Sequence, residues 1–369
     1  MTDFEQMSKE FTDNFVATRL QFESETTNVN FNHNGKLMVG CSEGGEVKLF
    51  DVEDNYNVLK TYQHPADPDL KEELHITRYA RFSPDGTFIA VASKVHLVVL
   101  SVDTFQPVFT LSDVEMIPAI KDNIRMFCGV NFSSEGDYLA VGMKNCVNIF
   151  DVRNDFALVS TYEAKDKISQ ILFYNDKLIF GGFYGVIQTV DRATKQVLAE
   201  YNFKEKEQDH LRDMSITPNG FLFLCLYALG PQVLNPDSLE VVSKMDIPYP
   251  VFFAHKHLNK DITVTSGGIR AYQQWNMNTY KPIDKFEHYE DGYHASQTDG
   301  FFRDFSPDNR VIALCAEKEI RILYTPVVAI SKLTSKLGDE TATLMDTDPD
   351  FQDVQINEDV LYAMAGTMV

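Results

Sequence analysis

A five-residue turn recurs along this chain and constrains its fold more than any other feature. It reads Phe31-Asn32-His33-Asn34-Gly35, then Phe82-Ser83-Pro84-Asp85-Gly86 and Phe132-Ser133-Ser134-Glu135-Gly136. Ile216-Thr217-Pro218-Asn219-Gly220 and Phe305-Ser306-Pro307-Asp308-Asn309 follow. Each copy is an apolar residue followed by a tight polar turn. Pro presets φ, and Asp or Asn followed by Gly accepts the bend that closes a hairpin.

After each turn comes an apolar run of strand length: KLMVGCS, TFIAVASK, DYLAVGMK, FLFLCLY and RVIALCAEK. A second run follows, as in EVKLFDV, HLVVLSV and CVNIFDV, and then a third, as in NVLKTYQ, QPVFTLS and ALVSTYE. Runs rich in β-branched and large apolar residues, bounded by polar breaks, are strands. The unit is therefore a four-stranded antiparallel sheet. One such sheet cannot bury both faces alone, so neighbouring copies must stack. Two degenerate copies, ILFYNDKLIFGGF (171–183) and VFFAHKHLNKDITVTSG (251–267), bring the count to seven. The expected fold is all-β, a seven-bladed β-propeller with four-stranded antiparallel blades.

The pattern resembles the WD-repeat β-propellers, in which such a turn follows the first strand and a Trp-Asp or similar pair closes the third. Here Phe50-Asp51, Phe150-Asp151, Val190-Asp191 and Trp275-Asn276 stand at the closing position. Leu100-Ser101, Leu234-Asn235 and Leu323-Tyr324 stand there in the other copies. The resemblance covers residues 25 to 331. It departs from the family in lacking the Gly-His pair that opens a unit and the Asp between the second and third strands. The family's Asp–His–Ser–Trp network therefore cannot form, and packing must hold the blades, helped by 27 phenylalanines.

Three segments follow from this reading: 1–24, closing the last blade; 25–336, the propeller; and 337–369, an acidic and largely disordered tail. Two segments compete to supply the outer strand of the last blade, FVATRLQFE (15–23) and VVAISKL (327–333). The first is favoured, because closure by the opposite terminus removes exposed sheet edges.

Composition excludes several classes. No stretch approaches the ~20 uninterrupted apolar residues of a membrane helix, and the first 25 residues lack a signal peptide's basic start and apolar middle. A cytoplasmic or nuclear location is the expectation. The net charge of −21, with no Lys/Arg cluster, argues against direct nucleic-acid binding. Cys41, Cys128, Cys146, Cys225 and Cys315 are odd in number and each sits in an apolar run. They read as small hydrophobes in a reducing compartment rather than as disulfides.

No GxSxG, HExxH or CxxC is present. His255 and His257, with His288 and His294, read as surface decoration rather than as metal ligands, and SGGIRAYQQW (266–275) lacks the Lys of a phosphate loop. SPDGTF (83–88) is one residue short of the Asp-box turn of sialidases. No catalytic residue, metal or cofactor is expected. One pattern remains. Four residues before the apolar turn residue stand Thr27, Arg78, Cys128, Ser169, Arg212 and Phe301, with Tyr249 in the sixth copy. In a propeller this position opens the inner strand at the rim of the central channel. Arg78, Arg212, Tyr249 and Phe301 there have the composition of a binding hot spot, suited to acidic or phosphorylated protein segments.

The expected function is a non-enzymatic protein-interaction scaffold, a subunit of a larger hetero-complex; that step is an analogy with the fold. NDKLIFGGFYGVIQTVDRATKQVLAEY resembles part of the small propeller subunit of COMPASS-type histone methyltransferase complexes, which makes a chromatin-associated subunit one alternative. An enzyme with its active site at the channel mouth is the alternative from another class.

Overall fold

A computed structural model describes residues 16–64, 76–77, 79–93, 96–112, 129–143, 146–166, 168–182, 185–203, 210–226, 229–245, 251–257, 262–267, 271–287, 303–308 and 310–324. Every described element is a strand, and the strands form seven four-stranded antiparallel sheets. Among the described residues no helix is long and apolar enough to cross a membrane.

β1 (Val16–Gln21) is set apart, as described below. Sheet I is β2 (Thr26–Phe31), β3 (Leu37–Ser42), β4 (Glu46–Asp51) and β5 (Asn57–Gln63). Sheet II is β6 (Tyr79–Phe82), β7 (Phe88–Ala92), β8 (His96–Ser101) and β9 (Pro107–Ser112). Sheet III is β10 (Val130–Phe132), β11 (Tyr138–Met143), β12 (Cys146–Asp151) and β13 (Ala157–Glu163). Sheet IV is β14 (Ile168–Tyr174), β15 (Lys177–Gly182), β16 (Val186–Asp191) and β17 (Val197–Asn202). Sheet V is β18 (Leu211–Ile216), β19 (Leu222–Leu226), β20 (Gly230–Leu234) and β21 (Val241–Lys244). Sheet VI is β22 (Val251–His257), β23 (Ile262–Gly267), β24 (Ala271–Asn276) and β25 (Lys281–Glu287). Sheet VII is β26 (Arg303–Phe305), β27 (Val311–Ala316) and β28 (Glu319–Tyr324), with β1 as its fourth strand, antiparallel to β28. Residues 327–333, the competing segment, lie outside the described residues.

The repeated turn is closed the same way in the four copies that end in glycine. Gly35, Gly86, Gly136 and Gly220 all take φ between 72° and 83°, the region glycine enters without penalty. Their N–H groups donate to the carbonyls of Asn32, Ser83, Ser133 and Thr217. The side chain of that first turn residue caps the next strand: Ser83 Oγ accepts from Phe88 N at 2.9 Å, and Ser306 Oγ from Val311 N at 3.1 Å. The acidic or amide residue closing the third strand has an equally local cause. Asp51 Oδ1 accepts from Glu53 N and Asp54 N, Asp191 Oδ1 from Ala193 N, and Asn235 Oδ1 from Asp237 N and Ser238 N. These are Asx turns, which side-chain carboxylates and amides form on their own backbone.

Each such turn ends on a side chain with positive φ: Tyr56 (59°), Phe105 (57°), Phe156 (55°), Lys195 (62°), Leu239 (57°) and Tyr280 (56°). Left-handed backbone costs an ordinary residue ~1 kcal/mol or more. Phe105, Phe156 and Leu239 offset this by burial at 2–6% exposure, whereas Lys195 is exposed. Lys195→Gly is therefore expected to raise stability, by up to ~1 kcal/mol after the entropy of the added glycine; a urea denaturation midpoint measures it.

Two rungs explain how the sheets pack. On the second strand, the residue three beyond the apolar partner of the closing pair is small in all seven sheets: Cys41, Ala92, Gly142, Gly181, Cys225, Ser266 and Cys315. A Cβ on Gly142 would lie 2.5 Å from Ile168 Cγ2, and one on Gly181 would fall inside Leu211. Ile168 and Leu211 are the first residues of the next sheet's first strand. At these two joints the small residue is the hole into which the following sheet inserts its knob. Cys41, Cys225 and Cys315 are each at most 1% exposed there.

The second rung lies on the fourth strand. Opposite the closing pair, one residue is bulged out in every sheet: Leu59, Val108, Val159, Leu198, Val242 and Ile283, and Ala17 in β1. β1 thus repeats the register of the six other fourth strands although it comes from the opposite end of the chain. Bulges of this kind sharpen twist and spoil the edge as a template for pairing with another chain. That tolerates apolar residues such as Leu59 and Val159 at about half exposure on an open edge.

The buried cores lie between successive sheets rather than within one. Val39, Val47 and Leu49 of sheet I pack with Phe82, Ile89 and Val98 of sheet II, and Ile179 and Ile187 of sheet IV with Leu222 and Leu224 of sheet V. Met38 and Phe50 of sheet I pack with Ile320 and Ile322 of sheet VII and with Leu20 and Phe22 beside β1. The turns meet at the same seam: Tyr56 is pushed up to about 12 by burial, then by Tyr324 and Asp308 of sheet VII.

Candidate functional site at the first strands

The first strands carry a row of polar residues in otherwise apolar runs, and nearly all of these side chains reach the next sheet. Asp304 Oδ2 of β26 accepts from Phe31 N at 2.8 Å and Asn30 Nδ2 at 2.9 Å. From β2, Asn28 Oδ1 accepts from Ala80 N at 3.1 Å and Asn30 Oδ1 from Phe82 N at 3.0 Å. Arg81 of β6 donates to Asn131 Oδ1 at 3.2 Å, Asn131 Nδ2 of β10 to Ile171 O at 3.0 Å, and Gln170 Nε2 of β14 to Arg212 O at 3.2 Å. β18 then contacts β22, and β22 contacts β26. The polar row runs from sheet VII through sheets I, II, III and IV to sheet V, with two bonds at each of the first two joints and one at each of the others. Sequence reasoning passed over it, although its signal is visible: a polar residue directly before the apolar turn residue, as at Asn30, Arg81, Asn131 and Asp304.

The four-back position coincides with a bulge at the start of the first strand. Register slips between Thr26 and Asn28, Ile168 and Gln170, and Leu211 and Asp213, leaving Thr27, Ser169 and Arg212 as the bulged residues. In sheet VI register slips between Val251 and Phe253 and again between Phe253 and His255, so the residue bulged at the start of that strand is Phe252. Arg78, Tyr249 and Phe301 lie outside the described residues, as do His288, His294 and the side chains of His255 and His257.

Position four therefore carries two different jobs. Thr27 is 1% exposed and donates to Thr77 O at 2.6 Å; Ser169 is 4% exposed and donates to Gly181 O at 3.2 Å. The first bond reaches the neighbouring sheet and the second stays within its own. Arg212 is half-buried, its Nε enclosed by protein while its carbonyl takes the Gln170 bond. It is the one described residue of the set with a charge at this end of the first strands.

No protein-family description matches the chain, and no curated protein matches it in sequence.

Proposed function

We propose that the seven sheets are blades of a seven-bladed β-propeller of the WD-repeat type, and that the protein is a non-enzymatic interaction scaffold within a larger assembly. The observation that carries this is the cross-bracing of the first strands. Asn28, Asn30, Asn131, Gln170 and Asp304 bond neighbouring sheets. They stiffen a frame instead of converging on a reacting atom. An enzyme at the same place would need titratable groups free to meet a substrate, yet Asp304 and Arg81 are both engaged in joints. A rigid frame with variable loops at the strand ends suits recognition.

Within this reading, Arg212, joined by Arg78, contacts acidic or phosphorylated segments of partner proteins, because a guanidinium in a chain of charge −21 is a local attraction for anions. The test is the Arg78→Ala, Arg212→Ala double variant of the tagged protein. Partner recovery, read by mass spectrometry, is expected to fall by about 30-fold, as for a hot spot worth ~2 kcal/mol. The denaturation midpoint should drop by no more than ~1 kcal/mol, since Arg212 is half-buried. Unchanged partner recovery refutes the role of the arginines.

A further inference from the structure

Six of the seven sheets are each built from one continuous stretch of chain, and only sheet VII joins the two ends, with β1 from the N-terminal side. How β1 is held therefore decides how that sheet opens. Its polar side chains converge on one carboxylate. Arg19 meets Glu319 Oε1 at 2.7 Å, Gln21 Nε2 donates to Oε2 at 2.9 Å, and Arg321 of β28 donates to the same carboxylate. The apolar hold comes from Leu20 and the following Phe22, at 8% and 6% exposure, with the partly buried Ala17 packed against the same core; Arg19 and Gln21 are exposed.

We propose that β1 is an acid-releasable strap: Glu319 is the point through which its polar side chains hold the sheet, and protonating that carboxylate frees the strand while the other six sheets stay paired. Burial works against ionisation of Glu319, but the hydrogen bonds from Arg321 and Gln21 and the charges of Arg321 and Arg19 outweigh it, leaving its pKa lowered. A lowered carboxylate contributes stability above its unfolded-state value of about 4.3, and that contribution disappears as pH falls through the folded-state value.

The other groups around it are few. β27 presents only Ala316 on the paired rung, β2 brings Thr26, whose hydroxyl donates to Glu319 O at 3.1 Å, and the β27–β28 turn holds Glu317 and Lys318. From β4, Lys48 bonds Gln21 O at 2.9 Å and Glu46 at 2.8 Å, and Glu46 Oε2 accepts from Glu23 N at 3.1 Å. Glu46 is thus a second carboxylate at the strap, but it holds the backbone after β1 and not the strand's side chains.

Hydrogen exchange read by mass spectrometry on the full chain tests this, compared as protection factors between neutral pH and a descending series that ends well below the ordinary glutamate value of about 4.3. Amides of Val16–Phe22 are expected to lose about tenfold or more of their protection in acid, the scale of one hydrogen bond to a charged group. β12 and β16 should keep theirs. In Glu319→Gln the strap should be weakly protected already at neutral pH, with the acid step gone. Arg19→Met, which leaves β28 untouched, should shrink the step. Glu46→Gln should retain it. The proposal is overturned if β1 and β16 lose protection together, if Glu319→Gln keeps the acid step, or if Glu46→Gln alone abolishes it.

Discussion

Removal of residues 1–24 is expected to destabilise the protein by about 5 kcal/mol or more, a large share of the 5–15 kcal/mol that holds a typical domain folded. Leu20 and Phe22 contribute ~1.5–3 kcal/mol each by burial against Met38, Phe50, Ile320 and Ile322. The truncation also strips the partner from β28, from Glu319 to Leu323, leaving its N–H and C=O groups on an open edge. Chemical denaturation should show an early, broadened transition, and sizing should show self-association through the new edge. Ala17, which repeats the bulge of the other fourth strands, goes with the deleted segment, so the edge left behind lacks the device that protects the others. A truncated protein with an unchanged midpoint would mean that another segment holds β28.

Filling the hole at Gly181 is the second large effect. Gly181→Val puts a branched side chain where Leu211 of the next sheet already sits, and overpacking at a joint without free volume costs ~3 kcal/mol. Leu211 is 2% exposed within the core shared by sheets IV and V, so the strain cannot be relieved toward solvent. Adding Leu211→Ala to Gly181→Val should restore ~1 kcal/mol or more relative to the sum of the single variants, because contacting residues couple. Additive losses in that cycle would show that the two positions do not share a joint. The same logic predicts a milder response at Cys225, the equivalent rung of sheet V, where Cys225→Ala keeps the residue small.

The turns and their chemistry were legible in the chain from end to end, because they are local. Ser83, Asp85 and Gly86 satisfy one another within five residues, and Asp191 closes its turn on the next three. Strand length, strand order within a sheet and the burial of Cys41, Cys225 and Cys315 follow from apolar runs that any neighbour would bury, whereas Cys146 is half-exposed. The small-residue rung could have been read from VGCS, FLCLY and ALCAE, had their glycine counterparts in AVGMK and IFGGF been aligned with them.

Position four shows where such reading stops. Thr27, Ser169 and Arg212 share one place relative to the turn, and sequence spacing treats them as one class. The folded chain divides them: Thr27 reaches the neighbouring sheet at Thr77 O, Ser169 bonds Gly181 O within its own sheet, and Arg212 lies half-buried. In sheet VI the first strand runs on to His257 and slips register twice, between Val251 and Phe253 and between Phe253 and His255, so a count back from Phe253 misses its first bulge, since a bulge adds a residue without changing the pattern of types. The partners of Asn30, Asn131 and Asp304 were equally hidden, as each lies about 40 residues or more away, in the next sheet. A hydrogen bond between sheets leaves no periodic trace in either. The sequence by itself determined the repeating unit, its turns and its strands, because those are settled by neighbours along the chain. Only the tertiary structure decided which polar residues brace the sheets, and that Glu319 holds the first strand to the last sheet, because those contacts exist only once both ends of the chain are side by side.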